Sequence, residues 1–305
     1  MPEDKQPAYT LTKKHMARLD ILKTYKIYIG GQFPRTESGR YYELKGKDSK
    51  TVANVCLSSR KDFRNAVVAA RSAVAGWSSK AAFNRGQILY RIAEMLEGRK
   101  EQFVAELLLQ GSTAKAAEAE VMQSIERLVY YAGWCDKYQA LFSSVNPVAS
   151  SHFNFSVPEP MGIVSILAPE DHSLLGIVTA IAPAIAGGNT CIVLASESKP
   201  LCAVTFAEVL HSSDVSGGVV NILTGSKKEL HTHFSSHMDV NAIVYYGENK
   251  EYIKTIREQA SLNVKRPFIH SADLTSQGPY QILDTQEIKT TWHPVEQIGS
   301  GKAGY

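Results

Sequence analysis

Beyond Gly162, four short runs rich in Ile, Val and Leu, namely Ile163–Leu167, Thr190–Leu194, Val219–Leu223 and Ala242–Tyr245, are separated by segments long enough for helices. A strand that shows neither face to water reads as an apolar run, and such strands belong in parallel sheets covered by helices on both sides. With right-handed crossovers, the pattern implies an α/β fold, a Rossmann-like doubly wound parallel sheet. Any ligand of such a sheet sits in the loops at the carboxyl ends of its strands. Here these loops are Ala168-Pro169-Glu170, Ala195-Ser196-Glu197, Thr224-Gly225-Ser226 and Tyr246-Gly247-Glu248.

Upstream the periodicity is helical. Alternating residues around Gly30-Gly31 in Lys26–Phe33 predict a short hairpin, followed by a polar connection. From Ser59, a candidate N-cap, Phe63, Ala66, Val67, Ala70 and Val74 share one helical face, with Gly76 near the end. Further helices are expected over 81–96, over 101–109 and, longest, over 114–142, ending before Asn146-Pro147. Phe153–Val157 looks extended, and Pro158 and Pro160 argue for an edge strand or arm rather than an interior strand. After Pro267 the signal weakens to one helix near Tyr280–Leu283, an extended Ile288–Pro294 and a small, Gly-rich tail that reads as flexible. The chain divides accordingly: a hairpin and helical region over 1–150, an arm strand over 151–160, the sheet domain over 161–270, and a C-terminal helix, terminal arm strand and tail over 271–305.

Composition excludes several classes. The 305 residues carry 33 basic and 30 acidic side chains, well mixed, so no basic face for nucleic acid is expected. No apolar stretch is long enough for a membrane helix and the first twenty residues lack a leader core, which points to a cytoplasmic protein. Cys56, Cys135, Cys191 and Cys202 stand too far apart for a zinc or disulfide framework, and the Asn154-Phe155-Ser156 sequon reads as chance. The offsets of His231, His233 and His237, with Asp239 beyond, do not stack on one helical face, so no metal site is expected. Adjacent Asp171, His172 and Ser173 point apart and do not form a triad. Neither Gly-x-Gly-x-x-Gly nor a Walker sequence occurs.

Three ordered stretches carry a family resemblance: Pro160-Met161-Gly162-Ile163-Val164; Ile181-Ala182-Pro183-Ala184-Ile185-Ala186-Gly187-Gly188-Asn189-Thr190; and Gly217-Gly218-Val219-Val220-Asn221-Ile222-Leu223-Thr224-Gly225. With Ile29-Gly30-Gly31-Gln32-Phe33, Ala69-Ala70-Arg71, Trp77 and Arg85-Gly86-Gln87-Ile88-Leu89, the chain resembles the aldehyde dehydrogenase superfamily over roughly residues 25–265. The resemblance implies an NAD(P)-binding sheet and an oligomerisation arm built from Phe153–Val157 and Ile288–Pro294. It also implies a catalytic domain inserted between the sheet and the terminal arm strand, for which the residues between Pro267 and Ile288 are too few.

The chemistry of the family needs a thiolate nucleophile and a carboxylate base. No cysteine follows Cys202. Asp171 stands where the family places an amide that stabilises the oxyanion, and an ionised carboxylate there would repel it. Leu262-Asn263-Val264-Lys265-Arg266 matches the stretch around the general-base glutamate, putting Asn263 at a degenerate catalytic position. The cofactor-binding candidates implied are Ala168, Pro169, Glu197, Gly225, Gly247 and Glu248. Of these, Glu197 keeps a ribose acceptor without its lysine, and Glu248 either repels a pyrophosphate or caps its own helix.

The expected function is a catalytically inactive, structural or regulatory subunit acting through its arm, as a homo-oligomer or with a full-length aldehyde dehydrogenase, NAD(P) binding being the less expected outcome. The alternatives are an NAD(P)-dependent oxidoreductase component that works with a complete homologue, and a small-ligand binding module.

Overall fold

The computed structural model describes residues 21–295 apart from Lys47 and Ser276. The first twenty residues and the Gly-rich tail, for which a missing leader and flexibility were expected, lie outside the described residues.

The centre is a five-stranded parallel sheet of β6 (Ile163–Leu167), β7 (Thr190–Leu194), β8 (Val220–Leu223), β9 (Ala242–Tyr246) and β10 (Arg266–His270), ordered β10-β9-β6-β7-β8. Alternation along each strand divides the core. Val164, Ile166, Cys191, Val193, Ala242 and Val244 join one apolar cluster, while Ile163, Leu167, Ile192, Leu194 and Ile243 join another on the opposite face. Helices α6 (Leu174–Ala186) and α7 (Leu201–His211) cover the first face, with α2 (Ala82–Gly98), α3 (Lys100–Leu109) and α4 (Ala114–Trp134) beyond them. Every residue of α6 is buried, as expected of a helix apolar all round. The second face is covered by α1 (Arg60–Ser78), α8 (Lys227–Ser236) and α9 (Lys250–Ser261). The winding reverses between β6 and β9, which makes the gap at their carboxyl ends the switch point where sheets of this type hold ligands.

Several elements depart from expectation. The Gly30-Gly31 turn forms, with Ile29 and Gln32 exchanging backbone hydrogen bonds, but no hairpin extends from it. Tyr28 instead pairs with Ile222, each donating at 2.8 Å, and closes the outer edge of β8. The turn is held against Gly217, where a Cβ would stand 2.7 Å from the Gly30 carbonyl oxygen. The supposed polar connection contains β2 (Tyr41–Lys45) and β3 (Thr51–Cys56), which form a small sheet with β1 (Thr24–Tyr25). The long helix breaks after Trp134. A short α5 (Tyr138–Phe142) restarts so that Tyr138 is buried with its hydroxyl donating to the Gly187 carbonyl.

The arm is a three-stranded sheet, β11-β5-β4, with β4 at Ser144–Asn146, β5 at His152–Pro160 and β11 at Gln286–Pro294. Contrary to the expectation from its prolines, β5 is the central strand. The Pro158 carbonyl accepts from Gln139 Nε2, so that residue's ladder side faces away from β11, past the end of β4, and its missing N–H interrupts no pairing. Residues 271–285, including α10 (Tyr280–Leu283), lead directly from β10 to β11. They are packed rather than loose. The buried Arg127 donates to the Leu274 carbonyl and to Thr179 Oγ1, both at 2.6 Å, and Asn189 Nδ2 donates to the Thr285 carbonyl.

Candidate functional site

The carboxyl ends of β6 and β9 open into a cavity of about 620 Å3, lined by Glu170, Asp171, Glu197, Tyr245, Gly247 and Glu248 among others. Asp171 and three of the six expected cofactor positions, Glu197, Gly247 and Glu248, therefore meet there. Ala168 and Pro169 lie beneath: the Ala168 carbonyl accepts from Lys227 Nζ, and Pro169 packs so closely on Gly176 that a Cβ there would come within 2.9 Å. Gly225 does not line the cavity. It sits against the Ser58 backbone and the Leu57 side chain, where its own added Cβ would stand 3.0 Å from the Ser58 nitrogen, so its glycine serves the packing of the N-terminal segment.

The charges of this rim are paired internally. Lys227 is buried, and its ammonium contacts Glu170 Oε1 at 2.5 Å. Glu170 Oε2 accepts from Ser196 Oγ, the Glu197 and Ser198 nitrogens and Ser198 Oγ, at 2.9 to 3.2 Å. Burial alone would push the Glu170 carboxyl up, but the Lys227 ammonium and the donated hydrogen bonds outweigh it and hold the group below its ordinary value. The cation nearest the switch point is thus already satisfied.

The helix N-termini facing the crevice are closed by the chain itself. Glu120 of α4 accepts from the Leu174 and Leu175 nitrogens at the start of α6, at 2.8 and 3.1 Å. Here too burial raises the carboxyl, yet the His172 contact and the two backbone donors bring it below normal. Gln110 Oε1 accepts from the Leu201 nitrogen of α7, and Glu197 Oε2 from the Lys227 nitrogen of α8. For α9 the cap is Asn249, accepting from the Glu251 and Tyr252 nitrogens, and not Glu248, which precedes it. Free N–H groups at helix starts are what a pyrophosphate binds. Here one or two N–H donors at each of the four helix starts are taken, by a carboxylate at α6 and α8 and by an amide at α7 and α9.

No cysteine lines the crevice. All four are buried; burial pushes the Cys135 thiol up to about 12, and those of Cys191 and Cys202 well above their ordinary value. Asn263 lies outside the crevice altogether. It precedes β10, at the amino ends of the strands, with Nδ2 3.4 Å from the Ser236 and His237 carbonyls. The residue that β10 delivers to the carboxyl end is His270, its ring stacked on Tyr246 and its Nε2 3.3 Å from Asp284 Oδ2. Sequence reasoning missed it because Arg266–His270 is an edge strand with a proline, exposed at its start and half-buried beyond, lacking the apolar run that marks its neighbours.

Among the described residues, no three His, Cys, Asp or Glu side chains converge as metal ligands, and no helix is long and apolar enough to cross a membrane. His231 instead stacks on Tyr252, and His237 meets the Phe63 ring edge-on.

The sequence pattern of the aldehyde dehydrogenase family matches residues 34–304. The cytosolic 10-formyltetrahydrofolate dehydrogenase of Mus musculus is 30% identical over 260 residues, 83% of this chain and 29% of that protein. Omega-crystallin of Enteroctopus dofleini is 30% identical over 273 residues, 88% of this chain and 54% of that one. The solved structure of a Bacillus cereus aldehyde dehydrogenase in complex with NAD+ superposes with a TM-score of 0.77 at 24% identity, covering 81% of this chain and 51% of its own. The chain thus spans less than a third of the first relative's length and about half of each of the others.

Proposed function

Because the chain belongs to the aldehyde dehydrogenase family, we propose that it is a non-catalytic member whose crevice has become part of its own packing and whose arm makes it a structural or regulatory subunit. The observation that carries this reading is the closed rim: Lys227 bound to Glu170, and the four helix starts occupied by Glu120, Gln110, Glu197 and Asn249. Two further features support it. No thiol faces the crevice, and residues 271–285 take the chain from the sheet to the arm where the family inserts its catalytic domain. The free, buried cysteines suit a reducing compartment such as the cytoplasm.

The arm offers the docking surface. Val145, Phe153, Ile288 and Trp292 are exposed on it, and β11 has an unpaired outer edge within the described chain. The partner is a second copy or a complete aldehyde dehydrogenase. A second reading, a small-ligand module, is favoured by the tyrosines 245, 246 and 252 around the crevice.

Calorimetric titration with NAD+ and NADP+ is expected to give no saturable heat up to millimolar nucleotide, and micromolar affinity for either would overturn the closed-rim reading. Sedimentation is expected to show an oligomer, alone or with a full-length homologue, that Trp292→Glu weakens at least tenfold. A monomer under both conditions would remove the arm from the proposal.

A further inference from the structure

At the other end of the sheet, Lys265 begins at the mouth of β10 with its side chain buried and its ammonium donating at 2.7 Å to the His237 carbonyl. No carboxylate among the described residues reaches it. Its surroundings are charged but already engaged: Asp239, after α8, pairs with Arg71 of α1, and Arg266 of β10 pairs with Glu287 of β11. His237, itself facing Arg60 and Arg64 of α1, and Lys289 also lie around it. A cavity of about 340 Å3 opens beside the amine, lined by Met161, Met238, Asn241, Asn263, Lys265 and Lys289 among others.

Two details distinguish this place from an ordinary buried lysine. Asn263 Nδ2 lies 3.4 Å from the same His237 carbonyl, which sets its amide beside the Lys265 amine, yet Asn263 Oδ1 is buried without a partner. An acceptor in that position lacks a donor that a ligand would bring. Between the two residues, Val264 sits in the left-handed region at φ 56°. A β-branched side chain there is strained, and such strain concentrates where a backbone presents a functional group.

We propose that Lys265 is a covalent-modification site for small aldehydes, with Asn263 as the acceptor that holds the addition product. The amine lone pair adds to the carbonyl carbon, the carbonyl π pair moves to oxygen, the nitrogen releases one proton to solvent and the oxygen takes one up. The resulting hydroxyl donates to Asn263 Oδ1. Loss of the second N–H proton and of the hydroxyl as water leaves a C=N bond, with no net oxidation or reduction. Burial supports the chemistry by lowering the Lys265 amine to about 8, so that a far larger share is unprotonated at neutral pH than for an exposed lysine. This site is independent of the crevice and stands or falls separately from it.

The intact protein is incubated with acetaldehyde and sodium cyanoborohydride at pH 7.5, which fixes any imine as an ethylamine, and the sites are read by peptide mass spectrometry. Lys265 is expected to label at least tenfold faster than the exposed Lys254, with a rate that levels off near pH 8 while that of Lys254 continues to climb. Labelling of Lys254 with Lys265 untouched would overturn the proposal. In Asn263→Ala, which keeps the lysine, the Lys265 rate should fall several-fold. An unchanged rate would overturn the role given to Asn263.

Discussion

The two ends of the central sheet carry charge in opposite ways. At the carboxyl end, Glu170 is neutralised by Lys227 and Glu120 is held by His172 and two backbone donors, so both carboxyls are drawn below their ordinary values. At the amino end, Lys265 meets a carbonyl and its ammonium is disfavoured. The same strands therefore join one rim that needs its charges and one that would be better without its own. The first rim is paired within itself, and the second leaves a buried amine beside a cavity.

The comparison breaks most readily at Lys227. Removing one member of a buried ion pair costs about 3–5 kcal/mol, and because the Glu170 side chain is 40% exposed the expected loss for Lys227→Met falls to about 2–3 kcal/mol. Urea unfolding reads it directly. The double variant with Glu170→Gln should lose less than the sum of the single variants, and strict additivity would mean that the rim is not paired in solution.

Next in size is the alkaline response of the other rim. The unfolded chain holds the Lys265 proton up to about pH 10.4, whereas the folded chain releases it near 8. Between these values the unfolded state binds more protons, so stability should rise with pH, by about 1.4 kcal/mol per pH unit at most. Lys265→Met should flatten that rise; an identical slope in the variant would show the amine to be solvated.

A smaller effect of different origin is expected on acidification. Carboxyls lowered on folding stabilise above their unfolded value near 4.3, and that contribution disappears as pH falls through the folded values. Glu120→Gln should cost about 1 kcal/mol at pH 7 and shift acid unfolding less steeply than wild type. The smallest change is a gain. Val264 is 91% exposed and left-handed, so Val264→Gly should stabilise by about 1 kcal/mol in thermal unfolding, while a loss would mean that the valine packs in solution.

The parts of the fold that were legible in the sequence are those fixed by local pattern. β6, β7, β8 and β9 were visible as apolar runs because both of their faces are covered, and α1 because Ser59 stands as its N-cap ahead of a single apolar face; the reciprocal bond from Asp62 appears only in the structure. β10 escaped because an exposed edge imposes no such pattern, and with it went the register that places His270, not Asn263, at the carboxyl end. The crevice loops could be located from strand ends alone. Their occupants could not: Glu120 reaches the Leu174 nitrogen across 54 positions and Lys227 reaches Ala168 across 59, and no periodicity encodes a partner at that distance. Pro158 and Pro160 misled for a related reason, since a proline rules out a ladder only on the side its nitrogen faces.

The pairing of β5 with β11 also has a consequence for synthesis. Ser156 and Thr290 share a hydroxyl contact at 2.8 Å although 134 positions separate them, whereas β4 offers β5 only three residues. Until β11 has left the ribosome, most of β5 is an unpatched strand edge bearing Phe153 and Phe155, while the sheet domain between the two strands is free to collapse. The arm therefore closes only after the sheet domain between its two strands has been made, and in that interval the edge of β5 is open to pairing with a neighbouring chain.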